Sequence, residues 1–133
     1  MQDRPTVLEL IAATREFLET EVMPALDPRR SFHARVAANV LAIVGRELAG
    51  EEEALVAEWR GLAALLGVAG EQPSGTVALR DAVRVHTSDL AERIRRGDAD
   101  AGPFATAVRA HVRAVVTEKL RVANPRYVEP ARG

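Results

Sequence analysis

In the run SFHARVAANVLAIVGREL, residues 31–48, the polar groups His33, Arg35, Asn39, Arg46 and Glu47 stand on or beside an apolar face. At about 100° per residue, His33, Val40 and Glu47 recur at i, i+7 and i+14, close to one line. An imidazole and a carboxylate on one line are the parts of an acid–base pair. Arg35 and Arg46, with Arg126 near the C-terminus, carry the planar donor forks that hold carboxylate or phosphate. His86 borders a second apolar stripe, and His111 and Lys119 border a third. Three imidazoles on three helices are the material from which bundle metal sites are made.

Spacing limits these readings. The chain has no E-x-x-H and no H-x-x-x-H, so metal ligands would have to converge from separate helices. No metal and no cofactor is assigned. Ser31, Ser74 and Ser88 lie outside any G-x-S-x-G elbow. GVAGEQPSG, residues 67–75, lacks the Lys-Ser/Thr ending of a phosphate-binding loop. No catalytic residue is assigned either. The plainer reading is that the polar groups answer one another and fix helix register. Glu21 or Glu47 would accept from Arg35, Arg46 or Lys119, and Asn39 would cap a neighbouring backbone. The candidate binding residues are therefore His33, Arg35, Asn39, Arg46 and Glu47, with Asn124, Arg126 and Tyr127. A C-terminal segment folding back onto the second helix would bring the two sets together.

These groups need helices to position them. Thr6 and Glu9 have the spacing of a capping box, which opens a first helix carrying Val7, Leu10, Ile11, Thr14, Phe17, Leu18 and Val22. Pro24 stops that helix or ends its regular part. Asp27-Pro28 restarts a helix as N-cap and first residue. Its apolar stripe is Phe32, Val36, Val40, Ile43 and Val44. Gly50 leaves open whether residues 51–66, with Leu55, Trp59, Leu62 and Leu66, form a separate helix. Trp59 reads as core or as an anchor at a partner surface. After the loop at 67–75, a helix over 76–96 carries Leu79, Val83, Leu90 and Ile94, and ends in Arg95-Arg96-Gly97. A last helix starts at Pro103 with Phe104, Val108, Val112, Val115 and Val122 inward, and Asn124-Pro125 closes it. The expected fold is all-α: a four- to five-helix up-and-down antiparallel bundle over residues 1–133, with a short extended tail from about 125.

Composition narrows the function classes. The net charge of −1 gives no global field toward nucleic acid or a membrane surface. Arg80, Arg84 and Arg95 are interleaved with Asp81, Asp89 and Glu92, and aromatic residues make up 4% of the chain, too few for base-stacking platforms. The chain has no cysteine, which excludes thiolate chemistry and disulfides. It has 17 Arg and one Lys; with abundant Ala, this fits a GC-rich coding background and good helix formers. No apolar run reaches about 18 residues, the length of a membrane span, and MQDRPTVLEL does not read as a secretory signal. A cytoplasmic protein is expected, without nucleic-acid or membrane partners.

Three phrases together, DRPTVLELIAATREFLETEVMPAL (3–26), FHARVAANVLAIVGREL (32–48) and KLRVANPRY (119–127), resemble a family of small bacterial helical domains of unknown function. The family is found beside kinases of the aminoglycoside-phosphotransferase type and acyl-CoA dehydrogenases. The resemblance implies a non-catalytic accessory protein acting with such a kinase or dehydrogenase in acyl-CoA catabolism, or docking with a second copy of itself. It implies no catalytic residues, and the kinase's Gly-rich loop and metal-binding acidic motifs do not occur here. The alternative is a binding protein or enzyme for an acyl-CoA-type ligand, with a site around His33, Arg35 and Asn39.

Overall fold

A computed structural model describes residues 4–128. Their regular structure is helical throughout. The helices are α1 (Val7–Phe17), α2 (Met23–Ala25), α3 (Pro28–Leu66), α4 (Thr76–Arg95) and α5 (Gly102–Ala123), with a 3-10 turn at Pro125–Tyr127. The chain falls into two compact units, residues 1–50 and 51–133.

In the first unit, α1 begins at the expected capping box. The Thr6 side chain accepts from the Glu9 N–H, and the Glu9 carboxylate accepts from the Thr6 N–H at 2.6 Å. Pro24 does not stop the helix outright. It lacks an N–H, and its ring crowds the carbonyl four residues back. The chain accommodates it by widening into a π-turn over Leu18–Val22, in which the Met23 N–H donates to the Leu18 carbonyl. Two residues then link α2 to α3. Asp27 caps α3 by accepting from the N–H groups of Arg29 and Arg30. The short link makes α1 and the first part of α3 an antiparallel pair. Helix α3 runs unbroken through Gly50 to Leu66, so residues 51–66 are its continuation.

The second unit holds the main core: Trp59, Leu62, Leu79, Val83, Leu90 and Val108. Leu62 and Leu79 are fully buried. Burial stabilises each such side chain by about 1.5–3 kcal/mol. Trp59 belongs to this core, which removes the reading of it as a surface anchor. Gly67, at φ 67°, ends α3, and the Val68 N–H reaches back to the Ala63 carbonyl. Gly97, at φ 90°, does the same for α4, with the Asp98 N–H donating to the Arg93 carbonyl.

The class is all-α and the architecture a helical bundle, as expected. The order of contacts along α3 and α4 differs from a strict up-and-down path. Near the start of the unit Arg80 donates to Glu51, its Nε at 2.6 Å. Near the end Arg93 Nη1 reaches the Leu65 carbonyl at 3.4 Å. Both partners advance together, so these two helical stretches run parallel. Nine loop residues, 67–75, can span about 30 Å, more than the about 21 Å rise from 51 to 65. Gln72 of that returning loop accepts from Arg60. The turn between α4 and α5 is short. Arg93 spans it, bonding Asp98 Oδ2 at 3.1 Å and lying 4.1 Å from the centre of the Phe104 ring.

In this unit two expected inward positions lie outside. Val112 is 46% exposed and Ile94 40%. On α5 the place next to the core is taken by His111, because Gly61 of α3 leaves room for its ring. A Cβ on Gly61 would stand 2.5 Å from His111 Nδ1. At Pro125–Tyr127, where an extended tail is expected, the chain forms a 3-10 turn; residues 129–133 of that tail lie outside the described residues.

Glycine in a helix interior is normally worse than alanine by about 1 kcal/mol. Here overpacking against His111 opposes that gain with about 1–3 kcal/mol. Gly61→Ala is therefore expected to lower stability by about 1 kcal/mol, and Gly61→Ala with His111→Ala to recover part of it. Denaturant unfolding followed by Trp59 emission measures both; an unchanged or raised midpoint in Gly61→Ala would show that the ring swings aside at no cost.

Candidate interaction surface

The first part of α3 has two apolar faces. At about 100° per residue, Ala34, Ala38, Ala42 and Gly45 fall within about 40° of one direction. This face meets α1: Ala38 is 2% exposed, and a Cβ on Gly45 would touch Ile11 Cγ2 at 3.5 Å. Small residues let the helix axes come close. Phe32, Val36, Val40 and Val44 fall within about 60° of the opposite direction. They are 58%, 46%, 51% and 40% exposed, and Leu48 extends the row at 45%. Of the stripe expected to enter the core, these four are thus outside and Ile43 is half-buried; Ala38 is buried instead, with Ala34 and Ala42 half-buried beside it. Helix α1 and the π-turn after it also leave large apolar side chains outside. Ile11, Leu18 and Val22 are half-buried, whereas Val7, Leu8, Leu10 and Phe17 are exposed. Among the described residues of this unit, Ala38 alone is buried.

The candidate polar residues sort onto different sides of α3. Arg35, Asn39 and Arg46 share one flank, with Arg35 and Asn39 exposed and Arg46 half-buried. His33 and Glu47 are exposed on the apolar outer face. His33 and Arg35, two residues apart, project about 200° apart, so α3 itself does not bring His33 together with Arg35 and Asn39. The His33 ring makes an edge contact with Phe32, centroids 5.8 Å apart. Asn124, Arg126 and Tyr127 belong to the second unit, where all three are exposed at the end of α5 and in the 3-10 turn.

The other imidazoles also lie in the second unit. His86 sits in the α4 stripe between Val83 and Leu90. Its Nδ1 is buried without a hydrogen-bond partner, and Asp89 Oδ2 is 3.7 Å away. His111 packs against Gly61. Burial holds its pKa below the usual 6.5, and the nearby Glu58 carboxylate opposes that shift. Among the described residues no three His, Asp or Glu side chains gather to hold a metal. A shallow depression of about 400 Å³ is lined by Glu52, Glu53, Val56, Ala57 and Arg60 of α3, none of them a candidate residue. The apolar outer face and the Gly61–His111 contact were both missed by periodicity, which marks an apolar stripe without saying what covers it.

A histidine kept neutral in the fold makes the unfolded state the better proton binder below pH 6.5. Stability contributed by His111 is complete above that pH and falls as pH drops through the depressed folded value. Wild type should thus lose more stability than His111→Asn between pH 7.5 and 5.5, measured by Trp59 emission in denaturant. Equal losses would contradict the burial account.

The family model described as a domain of unknown function, DUF6285, matches residues 24–127. No curated protein and no solved structure matches the chain. The matched span holds α3, α4 and α5 entire, and with it the outer apolar row of α3 and the core of the second unit. On that match the chain belongs to the DUF6285 family.

Proposed function

We propose that this chain is a non-catalytic helical interaction protein of the bacterial cytoplasm, working with an aminoglycoside-phosphotransferase-like kinase or an acyl-CoA dehydrogenase in acyl-CoA catabolism. One observation carries the interaction reading: the first unit buries only Ala38 among its described residues while nine large apolar side chains stay exposed. Monomeric proteins seldom leave so many large apolar side chains of one small unit uncovered, here on the outer row of α3 and on α1, unless a partner covers them. The enzyme class comes from the resemblance of residues 3–26, 32–48 and 119–127. No helix of the described residues is long and apolar enough to cross a membrane.

Helix α1 offers the enzyme Leu10 and Phe17, two turns apart on one side and both exposed. The chain, tagged at its native locus, is expected to co-purify with the kinase or dehydrogenase at near-equal amount. Phe17→Glu should reduce that recovery at least about tenfold, the effect of losing one aromatic anchor. Recovery of the chain alone, or only with itself, would overturn the accessory role.

A further inference from the structure

We propose that the outer row of α3 docks antiparallel on the same row of a second copy, about a twofold axis at Val40. The proposal shares with the function above only the uncovered apolar surface of the first unit, and it concerns the side of α3 turned away from α1. Phe32, Val36, Val40, Val44 and Leu48 are spaced four apart, a single i±4 ridge. Val40 is its midpoint. A twofold axis there sets Val36 against Val44 of the second copy and Phe32 toward Leu48. Two such ridges seat side by side with the helices crossing at about 50°.

The charges on this face decide orientation. Arg29 and His33 flank the beginning of the row, and Glu47 lies at its end. By helical spacing Arg29 and Glu47 both sit at the centre of the outer face. Neither side chain has a partner among the described residues. A parallel pair would put like charges opposite each other. The antiparallel pair puts His33 of one copy across from Glu47 of the other, with Arg29 one turn further along the same helix, twice over. It also opposes the helix dipoles. The same surface is therefore complementary to itself, which is what a closed twofold interface requires.

The row is about 24 Å long on a helix about 10 Å wide, a footprint on the order of 300 Å². Stable interfaces bury about 800 Å² per partner. The pair is accordingly a weak, concentration-dependent one, in the micromolar to millimolar range.

The absence of cysteine makes the test direct. Purified full-length Val40→Cys, oxidised mildly without any enzyme present, should link to itself at least about tenfold faster than Val77→Cys, whose site on α4 is 70% exposed. A mixture of Val36→Cys and Val44→Cys should link to each other faster than either links to itself. Far-UV circular dichroism, which reports helix content in both units, checks that each variant is folded. Val40→Cys linking no faster than Val77→Cys would overturn the proposal, and so would Val36→Cys linking best to itself, the mark of a parallel pair. Phe17→Glu in the Val40→Cys background should leave linking unchanged, so failure of the enzyme-partner reading and failure of this one are read separately.

Discussion

A helix that is apolar on two opposite faces cannot be satisfied by one neighbouring helix. That constraint governs the first unit. Ala34, Ala38, Ala42 and Gly45 give α3 a narrow face on which α1 can lie close. The larger β-branched and aromatic side chains are left on the other side. Ordinary folding logic buries the large residues and exposes the small ones, because burial free energy grows with area. The reversed arrangement makes sense when the outer row is completed by another surface. In the proposed pair, the polar residues beside it, His33 and Glu47, orient that docking.

The second unit is built on the opposite principle. Its helices close around Leu62 and Leu79 with little room to spare. Gly61 admits the His111 ring where any side chain of its own would collide. Arg93 holds the ends of α3 and α4 and the start of α5 through one guanidinium, by a carbonyl, a carboxylate and an aromatic face. The parallel course of α3 and α4 depends on a loop long enough to return along the bundle, pinned partway by Arg60 and Gln72. This unit contains its own core. Among its described residues the first buries only Ala38.

Local chemistry in the sequence was enough for the elements. The Thr6–Glu9 box, the Asp27 cap, Gly67 and Gly97 after helix ends, and Pro103 at a helix start each act within a few residues, so their outcome is written nearby. The all-α class followed from the same signals. Which apolar face turns inward was not legible. Phe32, Val36, Val40 and Val44 form the stronger stripe by hydrophobicity, and periodicity favours them over Ala34 and Ala38. The choice depends on how closely α1 approaches, a property of both helices together. Val112 and His111 exchanged their expected places for a related reason: a gap at Gly61 on another helix decided which α5 residue could approach. The candidate site was legible as a set of unusual polar residues on α3, but two residues of spacing separate His33 from Arg35 by more than half a turn. That separation divides the set between the outer face, with His33 and Glu47, and a flank with Arg35, Asn39 and Arg46.

The central claim is that the outer face of the first part of α3 is completed by association. The most direct measurement is amide hydrogen exchange over residues 28–50 as a function of protein concentration, with residues 76–95 of α4 as the internal standard. Protection of 28–50 that rises with concentration while that of 76–95 stays constant is the predicted result. Protection of 28–50 that is the same at every concentration, with or without the enzyme partner, would contradict the account.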